Sequence, residues 1–161
     1  MKNLITVLIL LSLSACTSMT EQGIIRDGGY RLDIDENLRI YLEEPLPLRK
    51  SVLIPNANGF ISFIGNTTTN TIKLSVTDIF WRPDGTMHGI SEGGRKTRQD
   101  SEGSWKVVNN EICVNWERPN WPDTCSRTFY DPGSKQLHQV LEDGSVWVSI
   151  FNFRSGNPEN L

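Results

Sequence analysis

With only two histidines and three cysteines in 161 residues, the sequence excludes several classes of chemistry. His88 and His138 stand far apart, and no CxxC pair occurs, so neither a histidine–cysteine zinc site nor a thioredoxin-type redox pair is expected. The acidic residues Asp33, Asp35, Glu36, Glu43 and Glu44 lack the spacing of an EF-hand loop and read as a solvated face. No phosphate-binding glycine motif and no G-x-S-x-G elbow is found. The expectation is therefore no catalytic residue, no metal, no cofactor and no enzyme, with both histidines at the surface or in turns. Positive charge is not in excess either. The formal net charge is −3 and no basic patch is interleaved with aromatics, which argues against a nucleic-acid partner. Only Asp78 stands out among the acids, because it occupies a place in a strand pattern where an apolar residue is expected.

The one long apolar run, Leu4–Leu13, is too short to span a bilayer, which takes about 20 residues. Preceded by Lys2 and followed by small residues, it reads as a signal-peptide core. Leu13-Ser14-Ala15-Cys16 resembles a bacterial lipobox, which implies cleavage after residue 15 and acylation of Cys16. Residue 17 is threonine rather than aspartate, which for such lipoproteins implies the outer membrane, facing the periplasm. Residues 16–29 are then a lipidated start and tether, and 30–155 a single domain. Removing residues 1–15 takes away only Lys2 and leaves 15 basic against 19 acidic residues.

The chain is organised around residues 103–131, which hold Trp105, Trp116, Trp121, Cys113 and Cys125. Ile112, Val114 and Trp116 alternate with polar partners, the period of a half-buried strand. Trp105 and Val107 form a preceding strand, and Asn109-Asn110 is a two-residue turn, since asparagine tolerates positive φ. Glu117–Asp123 holds two prolines and reads as a loop, after which Cys125, Arg127 and Phe129 open the next strand. A disulfide between Cys113 and Cys125 would close roughly 13 residues, worth about 3 kcal/mol of chain entropy, and suits an oxidising compartment.

Elsewhere the pattern is again short strands between turns. Leu32 and Ile34, then Leu38, Ile40 and Leu42, flank an Asp35-Glu36-Asn37 turn. Phe60, Ile61, Phe63 and Ile64 have helical spacing, with Asn56 or Asn58 as N-cap and Gly65 as the stop; a buried strand is the alternative. Residues 71–82 read as one strand with a bulge near Thr77-Asp78. Pro83-Asp84-Gly85, residues 131–134 and residues 142–145 are turns, and 146–153 is a strong last strand. Arg95, Lys96 and Arg98 sit in a charged, glycine-rich loop. About eight short strands at near-regular spacing predict a mainly β domain, a small antiparallel meander closed or nearly closed into a barrel with one short helix; a β-sandwich is the alternative.

Gly65-Asn66-Thr67, the run Phe80–Thr86, Gly103–Val107, Ile112–Trp116 and Cys125, in that order, resemble the domain of unknown function 995 family of small bacterial envelope proteins, over roughly residues 56–151. The resemblance implies a compact β-rich domain with a cystine and carries no activity. The leading functional expectation is a lipid-anchored interaction or structural module of the envelope. Its contact would be the proline-stiffened loop with Arg118, Asn120 and an exposed Trp121. The second expectation is a barrel that holds a small apolar ligand at a tryptophan-lined mouth.

Overall fold

The computed structural model describes residues 19–41, 59–72, 75–92, 98–158 and 160–161. The signal segment, Cys16, Glu43, Glu44, Asn56, Asn58, Arg95 and Lys96 fall outside them. The described elements run α1 (Glu21–Arg26), β1 (Tyr30–Arg31), β2 (Arg39–Tyr41), β3 (Phe60–Ser62), β4 (Asn66–Ile72), β5 (Ser75–Trp81), β6 (Thr86–Glu92), β7 (Arg98–Val108), β8 (Glu111–Trp116), β9 (Thr124–Asp131), β10 (Gln136–Val140) and β11 (Val146–Ser155).

From β4 to β11 each strand pairs antiparallel with the next, and β11 returns to pair with β4. The sheet is thus a closed eight-stranded barrel. The closing ladder sets Ser149 opposite Thr71 and Arg154 opposite Thr67, which a two-sheet sandwich would not do. The turns are built as their residues require. Asn109 and Asn110 both take positive φ, 52° and 63°, in the β7–β8 hairpin, and Gly85 takes +86° between β5 and β6.

Strand β9 needs two partners on one side. Its first residues pair with β8, and Tyr130 and Phe129 pair with β1 where β8 has ended. The chain then continues beneath the barrel. Asn110 Oδ1 accepts from the Ile34 amide at 2.7 Å, and its Nδ2 donates to Asp33 at 2.7 Å. Asp35 holds the following turn by accepting from the amides of Asn37 and Arg39. Ile34 bridges Ile40, and β2 pairs with β3. Leu32, Ile34, Leu38, Ile40, Ile61 and Phe63 are all buried there as an apolar plug at one end of the barrel. Phe63 meets Trp81 and Phe153 edge-to-face, at 5.3 and 5.2 Å between ring centroids.

Two local expectations are corrected. Residues 60–62 form a strand and the turn at Gly65 follows it, so the buried-strand alternative holds over the helix. Pairing with β2 puts Ile61 and Phe63 into the plug at period two, and this tertiary partner overrides the local helical spacing. The short helix lies instead in the segment read as a tether. Thr20 caps α1 by accepting from the Gly23 amide, and Ile24 is 2% exposed against Phe129 and Val140 on the outer barrel face. Residues 71–82 are likewise two strands, the end of β4 and all of β5, in register from Ile72–Ser75 to Thr67–Phe80. The phase change is a hairpin, not a bulge at Thr77-Asp78.

Cys113 and Cys125 are direct partners across β8 and β9 and form a disulfide. Both side chains point outward, opposite to Ile112 and Ser126. Reducing the bridge, or the double change to alanine, is expected to lower stability by about 2–4 kcal/mol while leaving the barrel folded at low temperature. Urea unfolding with and without reductant measures this.

Candidate ligand-binding cavity

Side chains alternate across each barrel strand, so β5 points Thr77, Ile79 and Trp81 inward while Val76, Asp78 and Phe80 face out. Register places matching residues in rows around the wall. Trp81, Met87, Gly103 and Trp116 make one row, and Asn70, Thr77, Ser91 and Gln99 make another nearer the open end. Between these rows stands Gly89, opposite Ile79 and Ser101. A Cβ there would stand 2.7 Å from Trp121 Cζ3 and 2.9 Å from Trp116 Cη2. Glycine at 89 therefore lets two indoles enter the barrel. They meet edge-to-face with centroids 4.7 Å apart at 78°.

Trp121 reaches this position from the β8–β9 loop, which is pinned at several points. The Arg118 amide donates to Ser101 Oγ (3.1 Å), its guanidinium to Asp100 O (3.1 Å), and the Trp121 amide to Arg118 O (3.0 Å). Asp123 accepts from the Trp116 amide at 2.8 Å and from Asn115 Nδ2 at 2.6 Å. The expectation of an exposed Trp121 is corrected: its indole is half-buried and turned into the barrel, because Gly89 leaves room and Trp116 offers a ring edge. Of the three residues expected to make outward contacts, Asn120 is exposed, Arg118 staples the loop to β7, and Trp121 lies inside.

The result is a cavity of about 400 Å³ at the end away from the plug. Trp81 is its floor, with its Nε1 donating to Thr68 Oγ1 at 2.9 Å. Trp116, Trp121, Trp147, Val114 and Val148 line the walls, and Pro119, Asn120 and Pro122 the rim. Trp105 does not join the other four indoles; its Nε1 donates to Arg82 O and Thr86 O, both at 3.1 Å, under the β5–β6 turn. Polar groups on the wall are neutral: Ser75, Thr77, Ser91, Gln99 and Gln139. Among the described residues the side chains of Ser91, Gln99 and Gln139 have no hydrogen-bond partner in the protein. Thr128, the register partner of Gln139, has a buried hydroxyl that is also unpaired.

Among the described residues, charges lie outside this wall. Asp78 faces outward and pairs with Arg154 at 2.8 Å, so the acid singled out in the sequence is an ion-pair partner of arginine, while His88 meets Asp100 and Glu102 and His138 meets Asp131. Arg82 meets Glu102 at 2.6 Å, which holds the Glu102 carboxyl below its ordinary range. Arg127 grips Glu21 of α1 at 2.8 Å. No group of metal-ligating side chains forms among the described residues.

His138 is not a surface residue. It is 0% exposed, with Nδ1 2.9 Å from Ser149 Oγ and Nε2 3.3 Å from Ser134 Oγ and 3.7 Å from Asp131 Oδ2. Serine, histidine and aspartate together invite comparison with a hydrolase. Ser149 lies mid-strand, however, with its backbone engaged by β10 and β4. An oxyanion hole needs free amides, whereas Ser149 and Ile150 are in register with a partner strand on both sides. Burial pushes the His138 pKa below its ordinary value, against the pull of Asp131. Burial opposes ionisation of Asp131 as well, but hydrogen bonds from Ser134 and Gly133 outweigh it and hold that carboxyl low. The cluster clamps the β9–β10 turn to β11.

No family model matches the chain, and neither the curated proteins nor the solved structures hold a match.

Two outcomes are expected. The unfolded imidazole titrates near 6.5 and the folded one lower, so below that pH the unfolded state binds a proton that the folded state does not. Stability should fall from about pH 7.5 to about pH 5.5, and His138→Gln should flatten that decline, measured as the urea midpoint against pH. Gly89→Ala should cost about 1–3 kcal/mol and red-shift the tryptophan emission, because its methyl displaces the indole of Trp121.

Proposed function

We propose that the protein is a lipid-anchored envelope protein whose barrel binds a small apolar or amphipathic molecule. The single observation that carries the binding reading is the cavity of about 400 Å³, closed below by Trp81 and the plug and walled by three further indoles. Eight-stranded barrels have interiors just wide enough to be filled by side chains or to hold one small ligand. Sites for small molecules typically measure about 300–1,000 Å³ and combine apolar walls with a few polar groups. The interaction-module reading leaned on an outward Trp121, and the inward indole moves support to the cavity.

The anchor rests on Leu13-Ser14-Ala15-Cys16 and carries a geometric consequence. Thr20 bridges Ser145, and the Glu21 amide donates to Gly144 O, at the β10–β11 turn on the rim of the cavity. Two residues lie between Cys16 and Met19, three chain steps that reach about 10 Å when extended. An acylated Cys16 would hold the cavity rim beside the bilayer, in the outer membrane facing the periplasm.

Native mass spectrometry of the full chain, gently isolated, should show a non-covalent mass excess that is lost on activation. The double change Trp116→Ala and Trp121→Ala should abolish it. A bare mass under all conditions, with tryptophan emission unmoved by any small aromatic or aliphatic compound, would overturn the binding reading.

A further inference from the structure

Resting on the ligand-binding reading, we infer that the cavity selects an uncharged, flat, ring-bearing molecule that carries hydrogen-bonding groups, and rejects ionised molecules of the same shape. Three observations converge on this class.

The first is charge. None of the described residues lining the cavity is ionisable. Two ion pairs on these strands, Asp78 with Arg154 and Arg82 with Glu102, sit on the outward face and are engaged within each pair. A carboxylate, sulfonate or ammonium entering the cavity would lose its hydration and gain no counter-charge from the described wall.

The second is the polar wall. Gln139 is 6% exposed, lines the cavity, and finds no hydrogen-bond partner among the described residues. Ser91 and Gln99 are adjacent in register on β6 and β7 and share that condition. Thr128 adds an unpaired hydroxyl beside Gln139. A hydrocarbon would leave these groups dry and unsatisfied, whereas an amide, hydroxyl or carbonyl would complete them. Gln99 and Gln139 each offer both donors and an acceptor, so they discriminate by the presence of a polar group rather than by its type.

The third is ring geometry. Trp116 and Trp121 stand edge-to-face, Trp81 closes the floor and Trp147 lies on the wall from β11. Indole walls held at fixed angles by Gly89 and by the stapled loop form a slot, and rings pack against such faces in offset or edge-on geometry. The slot is set before binding, so a rigid flat ligand has little entropy to lose in it.

The test compares three naphthalenes of one shape on the full chain: 2-naphthamide, 2-naphthoate and naphthalene, titrated by isothermal calorimetry and by tryptophan quenching. Expected is naphthamide at least tenfold tighter than both others. Gln139→Leu should shrink the preference for naphthamide over naphthalene to under threefold, and Gln99→Leu should lower it separately should the first variant fold poorly. Naphthoate binding as tightly as naphthamide overturns the exclusion of charge. Naphthalene binding as tightly overturns the role of the amide wall. Decanamide binding tenfold better than naphthamide overturns the ring selection. Each of these three results leaves the binding reading standing, whereas absence of binding by every compound removes both.

Discussion

Closure of the sheet by the β11–β4 ladder is the constraint on which the other features depend. A curled sheet left open would present two edges, each with unpaired amides and carbonyls. Joining Ser149–Ser155 to Asn66–Thr71 removes them and forces one face of every strand inward. An eight-stranded barrel then has little interior, and what fills it decides whether it is a core or a site. Here the two ends are filled differently. Leu38, Ile40, Ile61 and Phe63 pack one end solidly under Trp81. At the other end the inward positions include the polar Thr77, Ser91, Gln99 and Gln139 beside Trp147 and Val148, and they leave space between them.

The N-terminal segment completes what the meander leaves undone. β8 is shorter than β9, and β1 takes the open side of β9 beyond it. The same segment supplies Leu32 and Ile34 to the plug, and its helix covers Phe129 and Val140. Arg127 reaches from the outer face of β9 to Glu21 and to Leu141 O, tying helix, strand and rim turn together. The stretch before the meander is therefore structural, and the rim of the cavity is joined to the start of the described chain.

Much of the candidate site was half-legible. The loop around Trp121 was recognisable as rigid from its prolines and flanking cysteines, and its fastening to β7 and β8 agrees with that. The direction of the indole was not legible, because a loop carries no period that assigns side chains to faces. The signal that could have found it is Gly89, a glycine inside a strand pattern, which often marks close approach by another group. His138 was misread as a surface residue for a similar reason: it is on the outward face of β10, and its burial comes from Asp131, Ser134 and Ser149 around it. The helix was misplaced because four apolar residues at 60–64 have helical spacing, and only pairing with β2 shows them to be strand.

The sequence by itself determined the β class, the turns at Asn109-Asn110 and Gly85, and the pairing of Cys113 with Cys125. These are local properties: period-two alternation, residues that accept positive φ, and a hairpin that brings its own ends together. Tertiary structure alone decided barrel over sandwich, the docking of α1, and the presence of a neutral, indole-walled cavity. Alternation is the same in a barrel and a sandwich, so closure depends on a ladder between strands at opposite ends of the meander. The cavity in turn depends on which inward residues that ladder brings to the same height.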